Sequence, residues 1–281
     1  MGLAELLKGL GDEQVVIPHV ENGIASDTWP EQYNIPVDTS VYYGSLDEDG
    51  NLIETGHDGY FHPSTHPTMS ELELYYEFHP EHDVALPKRT FSLAAMWSMT
   101  MGTAAHSVIQ TQLDMRSLLV RGSSEWSQVS SSKPWVRGKH PEKNPVEWEY
   151  INSRHNVRGR ADGILDLPVH GQMVLEFKTA NQRHFKFMDA PFPKWEIQGC
   201  LAADAYGLDE IVVVVLEMAY PWNMKEFRVK RRDSIVEPVY EKFDRVREAI
   251  QRDIPPRCIH QLDSKEYRQC RASHLCYPME G

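Results

Sequence analysis

The chain has 281 residues, 41% hydrophobic and 25% charged, and its 29 Lys and Arg against 41 Asp and Glu give a formal net charge of -12. These are ordinary globular proportions, and they exclude a disordered acidic protein, a collagen-like chain and a disulfide-stapled miniprotein. The longest apolar run, Ile211 to Leu216, is six residues, far short of the roughly 20 that a membrane-spanning helix needs.

The opening MGLAELLKGLGDEQ has no basic stretch followed by an apolar one, and Leu6 stands where a myristoylation site has Ser or Thr. The expectation is a soluble intracellular protein, cytoplasmic, with no membrane partner. Charge is unevenly placed. Residues 1–85 hold 17 acidic residues and one basic residue, Lys8, whereas residues 86–281 hold 24 acidic and 28 basic. Within the second part, Arg116 to Arg160 carries nine basic residues against four acidic. A balance of -12 argues against a nucleic-acid partner, because binding DNA means neutralising phosphates with Lys and Arg. Its placement leaves a mildly basic body behind an acidic front segment, which is expected to shield a DNA cleft or to serve as a partner surface. Three regions follow from composition: an acidic N-terminal region (1–85), a core (86–255) and a Cys- and His-containing tail (256–281).

In chain order, the front region carries turn signals at Asp49-Gly50 and Asp58-Gly59. A short amphipathic patch, Ser70 to Phe78, reads as one or two helical turns. His57, His62, His66, His79 and His82 crowd around it, more in the manner of surface histidines beside prolines than of a metal site. From Phe91 to Leu119 apolar residues recur at three- and four-residue steps and predict a helix, with Gly102 marking a break or a close contact. Residues 122–144 are Ser-, Pro- and Lys-rich and read as an exposed loop. Strands are predicted over Val146–Ile151, Val157–Leu165 and Met173–Thr179. Trp195 to Tyr206 reads as a helix ended by Gly207, and Ile211–Glu217 as a strand buried on both faces. Phe227–Val229 reads as a further strand, and Ser234–Arg252 as an amphipathic helix with Asp233 as its expected N-cap. The order helix, three strands, helix, strand, helix indicates a mixed α/β core.

The chemistry concentrates in Arg158-Gly-Arg-Ala-Asp-Gly-Ile-Leu-Asp and Val174-Leu-Glu-Phe-Lys-Thr179. Glu176 and Lys178 alternate along one strand and so share a face. Their neighbours at 174, 175 and 177 are apolar, and a charged pair in a buried strand is costly unless it has a use. Asp162 and Glu176 sharing a divalent cation, with Lys178 beside the water that the cation activates, is such a use; hard oxygen ligands suit Mg²⁺ or Mn²⁺. A structural Glu–Lys pair, with Asp162 serving a turn, accounts for the same tripeptide.

An Asp in a Gly-flanked turn followed by an apolar strand bearing Glu-x-Lys resembles the PD-(D/E)XK nuclease superfamily. Two further stretches resemble its RecB-like, CRISPR-associated-type exonuclease branch, to which phage recombination exonucleases are akin. Gly102-Thr-Ala-Ala-His106 resembles the helical Gly-x-x-x-His motif, whose His is a metal ligand. Gln198 and Tyr206 resemble the Gln-x(n)-Tyr motif on the helix after the catalytic strand. The resemblance implies a restriction-endonuclease-like core, a mixed central sheet flanked by helices. It implies a Mg²⁺- or Mn²⁺-dependent deoxyribonuclease in which His106, Asp162 and Glu176 hold metal, Lys178 activates water and Gln198 positions substrate or water. Linear DNA with free ends is then the partner, in recombination, repair or phage DNA processing, with a recombination protein as a further partner. Arg158, Arg160 and Tyr206 are the candidate DNA contacts, although solvated charge accounts for the two arginines equally well and a tyrosine in that place is more often core. Trp126, Trp135 and Trp148 are interleaved with the basic stretch and suit either base stacking or the core. A restriction-like endonuclease on the same core, and a non-catalytic binding module with an inherited nuclease fold, are the competing readings.

All four cysteines, Cys200, Cys258, Cys270 and Cys276, lie in the last third. In an intracellular chain they predict metal rather than disulfides. Cys258, His260, Cys270, His274 and Cys276 supply the donors of a tetrahedral Zn²⁺ site. The tail also resembles the C-terminal half of the iron–sulfur motif carried by many RecB-like exonucleases, but Tyr267 stands at its first Cys and no Cys precedes the core. Zinc, an iron–sulfur cluster with a non-Cys ligand and free thiols are the three alternatives. Cys200 is expected to pack as a small hydrophobe.

Overall fold

The fold was obtained as a computed structural model, which describes residues 14–25, 58–79, 86–87, 93–140, 144–262 and 264–276. Much of the acidic front region, including His57 and His82, lies outside the described residues, as does the Asp49-Gly50 turn. In chain order the elements are α1 (Ile17–Ala25), α2 (Glu71–Phe78), α3 (Leu93–Met115), β1 (Trp135–His140), β2 (Asn144–Asn152), β3 (Val157–Ala161), β4 (Gly163–Leu167), β5 (Gly171–Ala180), α4 (Gln182–Lys186), α5 (Pro193–Tyr206), β6 (Glu210–Glu217), β7 (Met224–Lys230), α6 (Asp233–Arg252), α7 (Lys265–Gln269) and α8 (Ser273–Cys276).

The strands form two sheets. β1, β2 and β3 make an antiparallel meander, and β4–β5–β6–β7 make a mixed sheet in which only β5 and β6 run parallel. The parallel pair is central and apolar, as burial on both faces requires. Alternation along β5 and β6 splits the core in two. Val174, Ile211, Val213 and Val215 pack with Cys200, Leu201 and Ala203 of α5 and with Val239 and Phe243 of α6. Met173, Leu175, Phe177, Val212 and Val214 pack on the other side with Ile109 and Leu113 of α3 and with Val16 and Val20. The result is a mixed sheet with helices on both faces.

Three expectations need correction. Residues 122–144 are not one loop: β1 pairs with β2 from Trp135↔Ile151 onward. The strand predicted over Val157–Leu165 is two, because the chain bends at Asp162 and passes from one sheet to the other. Asp233 is the first residue of α6 and Arg232 its N-cap. Gly102 does not break α3; a Cβ there would meet Thr179 Oγ1 at 3.4 Å, so it marks close approach of α3 to β5. Gly207 caps α5 in the left-handed region (φ 67°) as expected, and Ser70 caps α2 by accepting the Glu73 amide at 3.0 Å.

Residues 58–79 are joined to the core. Phe61 bridges to Val157 and stacks on Phe243 with ring centroids 4.3 Å apart. The acidic residues of this segment are ion-paired to the body: Asp58 with Arg158, Glu71 with Arg245, and both Glu73 and Glu77 with Arg271. Glu226 of β7 accepts the amides of Val15, Val16 and Ile17 (2.7, 2.9 and 3.1 Å), which ties the start of α1 to the sheet.

The tail is also corrected. Cys258 and Cys276 are joined by a disulfide, which takes two thiols out of the expected metal set. Cys270 is buried, 3.3 Å from Ser70 Oγ, in a small apolar cluster with Leu72 and Ala272. Cys200 is buried in α5 against the main core, so it packs as a hydrophobe. Among the described residues no three of His, Cys, Asp or Glu converge as a metal-binding group, in the tail or elsewhere.

Candidate active site

The site is made by the point where the two sheets part. β4 pairs with β5 as far as Gly163↔Leu175, and beyond it β3 turns away to pair with β2. The amide of Phe177 then has no strand partner on that side. Asp162, in the bend, supplies one: its Oδ2 accepts the Phe177 N–H at 2.7 Å. The other carboxylate oxygen, Oδ1, lies 3.4 Å from Nδ1 of His106 on α3. His106 is set by an edge-on contact with the Phe177 ring (centroids 4.6 Å). One turn further along α3, Gln110 donates to the Asp162 carbonyl at 2.7 Å. Gln110 is a positioning residue that motif reading missed. Its signal was the four-residue spacing from His106, which puts both on one helix face.

Glu176 and Lys178 lie on the opposite face of β5 from Phe177, toward α5. Glu176 is 0% exposed and its carboxylate is held by the Lys178 ammonium, with no other hydrogen-bond partner among the described residues. Tyr150 and Tyr206 hydroxyls, also buried, lack hydrogen bonds. An anionic oxygen buried without donors is costly, and here a cation offsets it.

The electrostatics follow from burial and charge. Burial pushes Asp162 up, but His106, Lys178 and the Phe177 amide outweigh it and hold the carboxyl well below its usual range. Burial pushes Glu176 up to about 7; Lys178 opposes this and the Asp162 charge adds to it. Burial pulls Lys178 down, but Glu176 and Asp162 outweigh it and raise it above its ordinary value. The ionised form is thus favoured at Asp162 and disfavoured at Glu176, and the protonated form is favoured at Lys178.

Asp162 and Glu176 carry oxygen donors and His106 a nitrogen, the donor types of a hard divalent cation, but among the described residues the three do not converge as a metal-binding group. The Glu176 carboxylate has the Lys178 ammonium as its partner.

The remaining sequence-predicted residues fall in different places. Gln198 is half-buried on α5, whose Gly199 packs on Ile211 of β6. Arg160 is exposed on β3. Arg158 instead binds Glu149 (Nε to Oε1 2.7 Å) and Asp58, so it is a structural cation rather than a free phosphate ligand. Tyr206 is 5% exposed and edge-packed against Trp148 and Tyr150, so of its two readings the structure shows core packing rather than an exposed contact. Trp148 packs there and donates to the Val120 carbonyl, while Trp126 lies under the Arg137 guanidinium. His260 and His274 lie in the tail, where no metal-binding group forms.

No family model matches the chain, and no curated protein sequence does. Among solved structures it is similar to SSO0001, with 13% identity, 79% of this chain and 88% of that one covered, and a TM-score of 0.41. It is similar also to an alkaline exonuclease, LHK-Exo from Laribacter hongkongensis, with 13% identity, 69% and 89% covered, and a TM-score of 0.43. The same exonuclease in complex with dAMP gives a TM-score of 0.44 at the same identity and coverage. These are distant likenesses, and the functional reading rests on the site. No helix among the described residues is long and apolar enough to cross a membrane.

Proposed function

We propose that the chain is a metal-dependent DNA exonuclease of the PD-(D/E)XK type, hydrolysing phosphodiester bonds at the ends of linear DNA. The observation that carries this reading is the buried Glu176 carboxylate, unbonded except for its ion pair with Lys178, on the strand whose Phe177 amide is held by Asp162. His106, Asp162 and Glu176 would hold Mg²⁺ or Mn²⁺. When bound, such an ion lowers the pKa of water and neutralises charge on the phosphate. The protein's own part is positional. Phe177 and Gln110 fix Asp162 from two sides, His106 faces its second oxygen, and Glu176 sets the ammonium of Lys178. As a protonated group Lys178 suits orientation of the attacking water and stabilisation of phosphate charge. Gln198, on the helix covering that face, is assigned to hold substrate or water, and Arg160 to hold a phosphate.

Incubation of the purified protein with linear and closed circular DNA, with Mg²⁺, Mn²⁺ or EDTA, tests the reading. Loss of linear DNA alone, dependent on the cation, supports it. Cutting of the circle favours an endonuclease on the same core, and inertness toward every DNA and RNA form leaves a binding module.

A further inference from the structure

The residues that follow the Glu176–Lys178 strand form a second feature that the hydrolytic site does not use. After β5 the chain makes α4 and a tight turn, over 181–190, before α5. Asn181 starts it, its side chain accepting the His184 amide at 2.9 Å. Phe185 and Met188 are buried as anchors. Lys225 at the start of β7 pins the turn, donating to the carbonyls of both Phe185 and Met188 at 2.8 Å. Between these anchors Phe187 points outward, 74% exposed. The turn that holds it is fixed at several points, so Phe187 is presented rather than merely uncovered.

Cations surround it. Arg183, His184, Lys186 and Lys194 are exposed, with Asp189 the acidic residue of the stretch. The Lys186 ammonium lies 5.6 Å from the Phe187 ring centroid. Among the described residues no carboxylate pairs with Arg183 or Lys186, whereas Arg137, Arg158, Arg231, Arg245 and Arg271 are all engaged. Arg183, His184, Phe187 and Phe192 border an open cleft of about 380 Å³.

The sheet register relates this turn to the site. Lys178 pairs with Val215, and Val215 with Lys225, so the three side chains share one face in one row. Lys225 is therefore two strand spacings, about 10 Å, from Lys178. That is the length of roughly three stacked nucleotides.

We propose that Phe187, Arg183 and Lys186 form a single-strand subsite, a nucleobase stacking on the Phe187 ring while the two cations hold flanking phosphates. It rests on the nuclease reading for its purpose, and names the form of substrate that reaches the site: an unpaired strand lying along the β5 end of the sheet. An exposed aromatic between unpaired cations is the combination that single-strand binding uses, because every base has a stacking face and every nucleotide a charge.

The test is binding of a fluorescently labelled single-stranded oligodeoxynucleotide to the full-length protein, followed by anisotropy in EDTA so that nothing is cleaved. Phe187→Ala is expected to weaken binding about tenfold, and Phe187→Trp to restore it. Arg183→Gln with Lys186→Gln is expected to flatten the salt dependence, by about 0.7 in the log–log slope for each cation removed. Thermal unfolding separates a structural effect, which none of these exposed changes is expected to produce. Wild-type affinity in Phe187→Ala, or loss restored by any apolar aliphatic residue, overturns the subsite, as does absence of oligonucleotide binding by the unmodified protein. Because no cleavage is measured, an inactive protein whose binding still depends on Phe187 sinks the nuclease reading alone. A cleaving protein indifferent to Phe187 sinks the subsite alone.

Discussion

The Asp162 carboxylate accepts the main-chain amide of Phe177 at 2.7 Å, and this one hydrogen bond joins the bend between the sheets to the strand that carries Glu176 and Lys178. It replaces a ladder bond that β3 ceases to provide where it turns toward β2. A residue at the point where the pairing changes is thereby tied to the strand that bears the second carboxylate.

Charge and acceptor at Asp162 are separable. Asp162→Asn keeps an oxygen for the Phe177 amide but loses the charge that His106 and Lys178 favour, and is expected to lower the melting temperature modestly while losing DNA hydrolysis. Asp162→Ala leaves that amide without its acceptor and is expected to cost a further 1–3 kcal/mol or about that of stability. Calorimetry and a cleavage assay on both variants check the pair of outcomes; equal stability of the two would contradict the structural half.

Arg158 and Arg160, two residues apart on β3, are expected to behave differently. Arg158→Ala deprives buried Glu149 of one of its two guanidinium partners, and should cost about 2 kcal/mol in denaturant unfolding. Arg160→Ala removes an exposed cation and should leave stability within about 0.5 kcal/mol, while weakening DNA binding and its salt dependence. Unfolding curves and salt-dependent binding on each variant distinguish them.

Much of this architecture was legible in the sequence because it is local. The Val-rich run of β6, the alternation around Glu176 and Lys178, the short helix at 71–78 and the Gly207 stop all announce themselves within a few residues. What escaped depends on partners far along the chain. β1 is hidden in a Ser-, Pro- and Lys-rich stretch because its reason to exist is β2, including the Arg137–Glu149 pair. The division of β3 from β4 at Asp162 does not interrupt the apolar alternation, so one strand was expected. Arg158 reads as a free cation until Glu149 and Asp58 are beside it. The acidic front reads as a shield or a partner surface, yet its carboxylates at 58, 71, 73 and 77 are matched to arginines of the body.

Asp204 sets an acid limit to stability. It is 8% exposed and bonded to Lys133 (2.7 Å), Arg231 (2.8 Å) and the Tyr240 hydroxyl (3.1 Å). Burial pushes its carboxyl up, but Lys133 and Arg231 outweigh that and hold it below the ordinary 3.8. A depressed carboxyl contributes stability that is fully present above its unfolded pKa and is lost as pH falls through the folded one. Asp204→Asn should therefore cost about 3 kcal/mol at pH 7, and the gap from wild type should narrow below about pH 4. A gap independent of pH, in parallel unfolding series, would refute the assignment.

The tail makes a chemical prediction. With Cys258 and Cys276 joined, thiol titration of the unfolded, unreduced protein should find Cys200 and Cys270 alone. Four reactive thiols released together with zinc or iron would return the Cys- and His-based metal site in place of the disulfide.

The central claim, that Lys178 beside Glu176 serves phosphodiester hydrolysis, is tested most directly by digestion of end-labelled linear DNA with Mn²⁺, comparing wild type with Lys178→Ala at matched folded concentration. The account predicts progressive loss of label by the wild type and a rate on the order of 10³-fold lower in the variant, with both proteins folded by circular dichroism. Digestion at the wild-type rate by folded Lys178→Ala would contradict it.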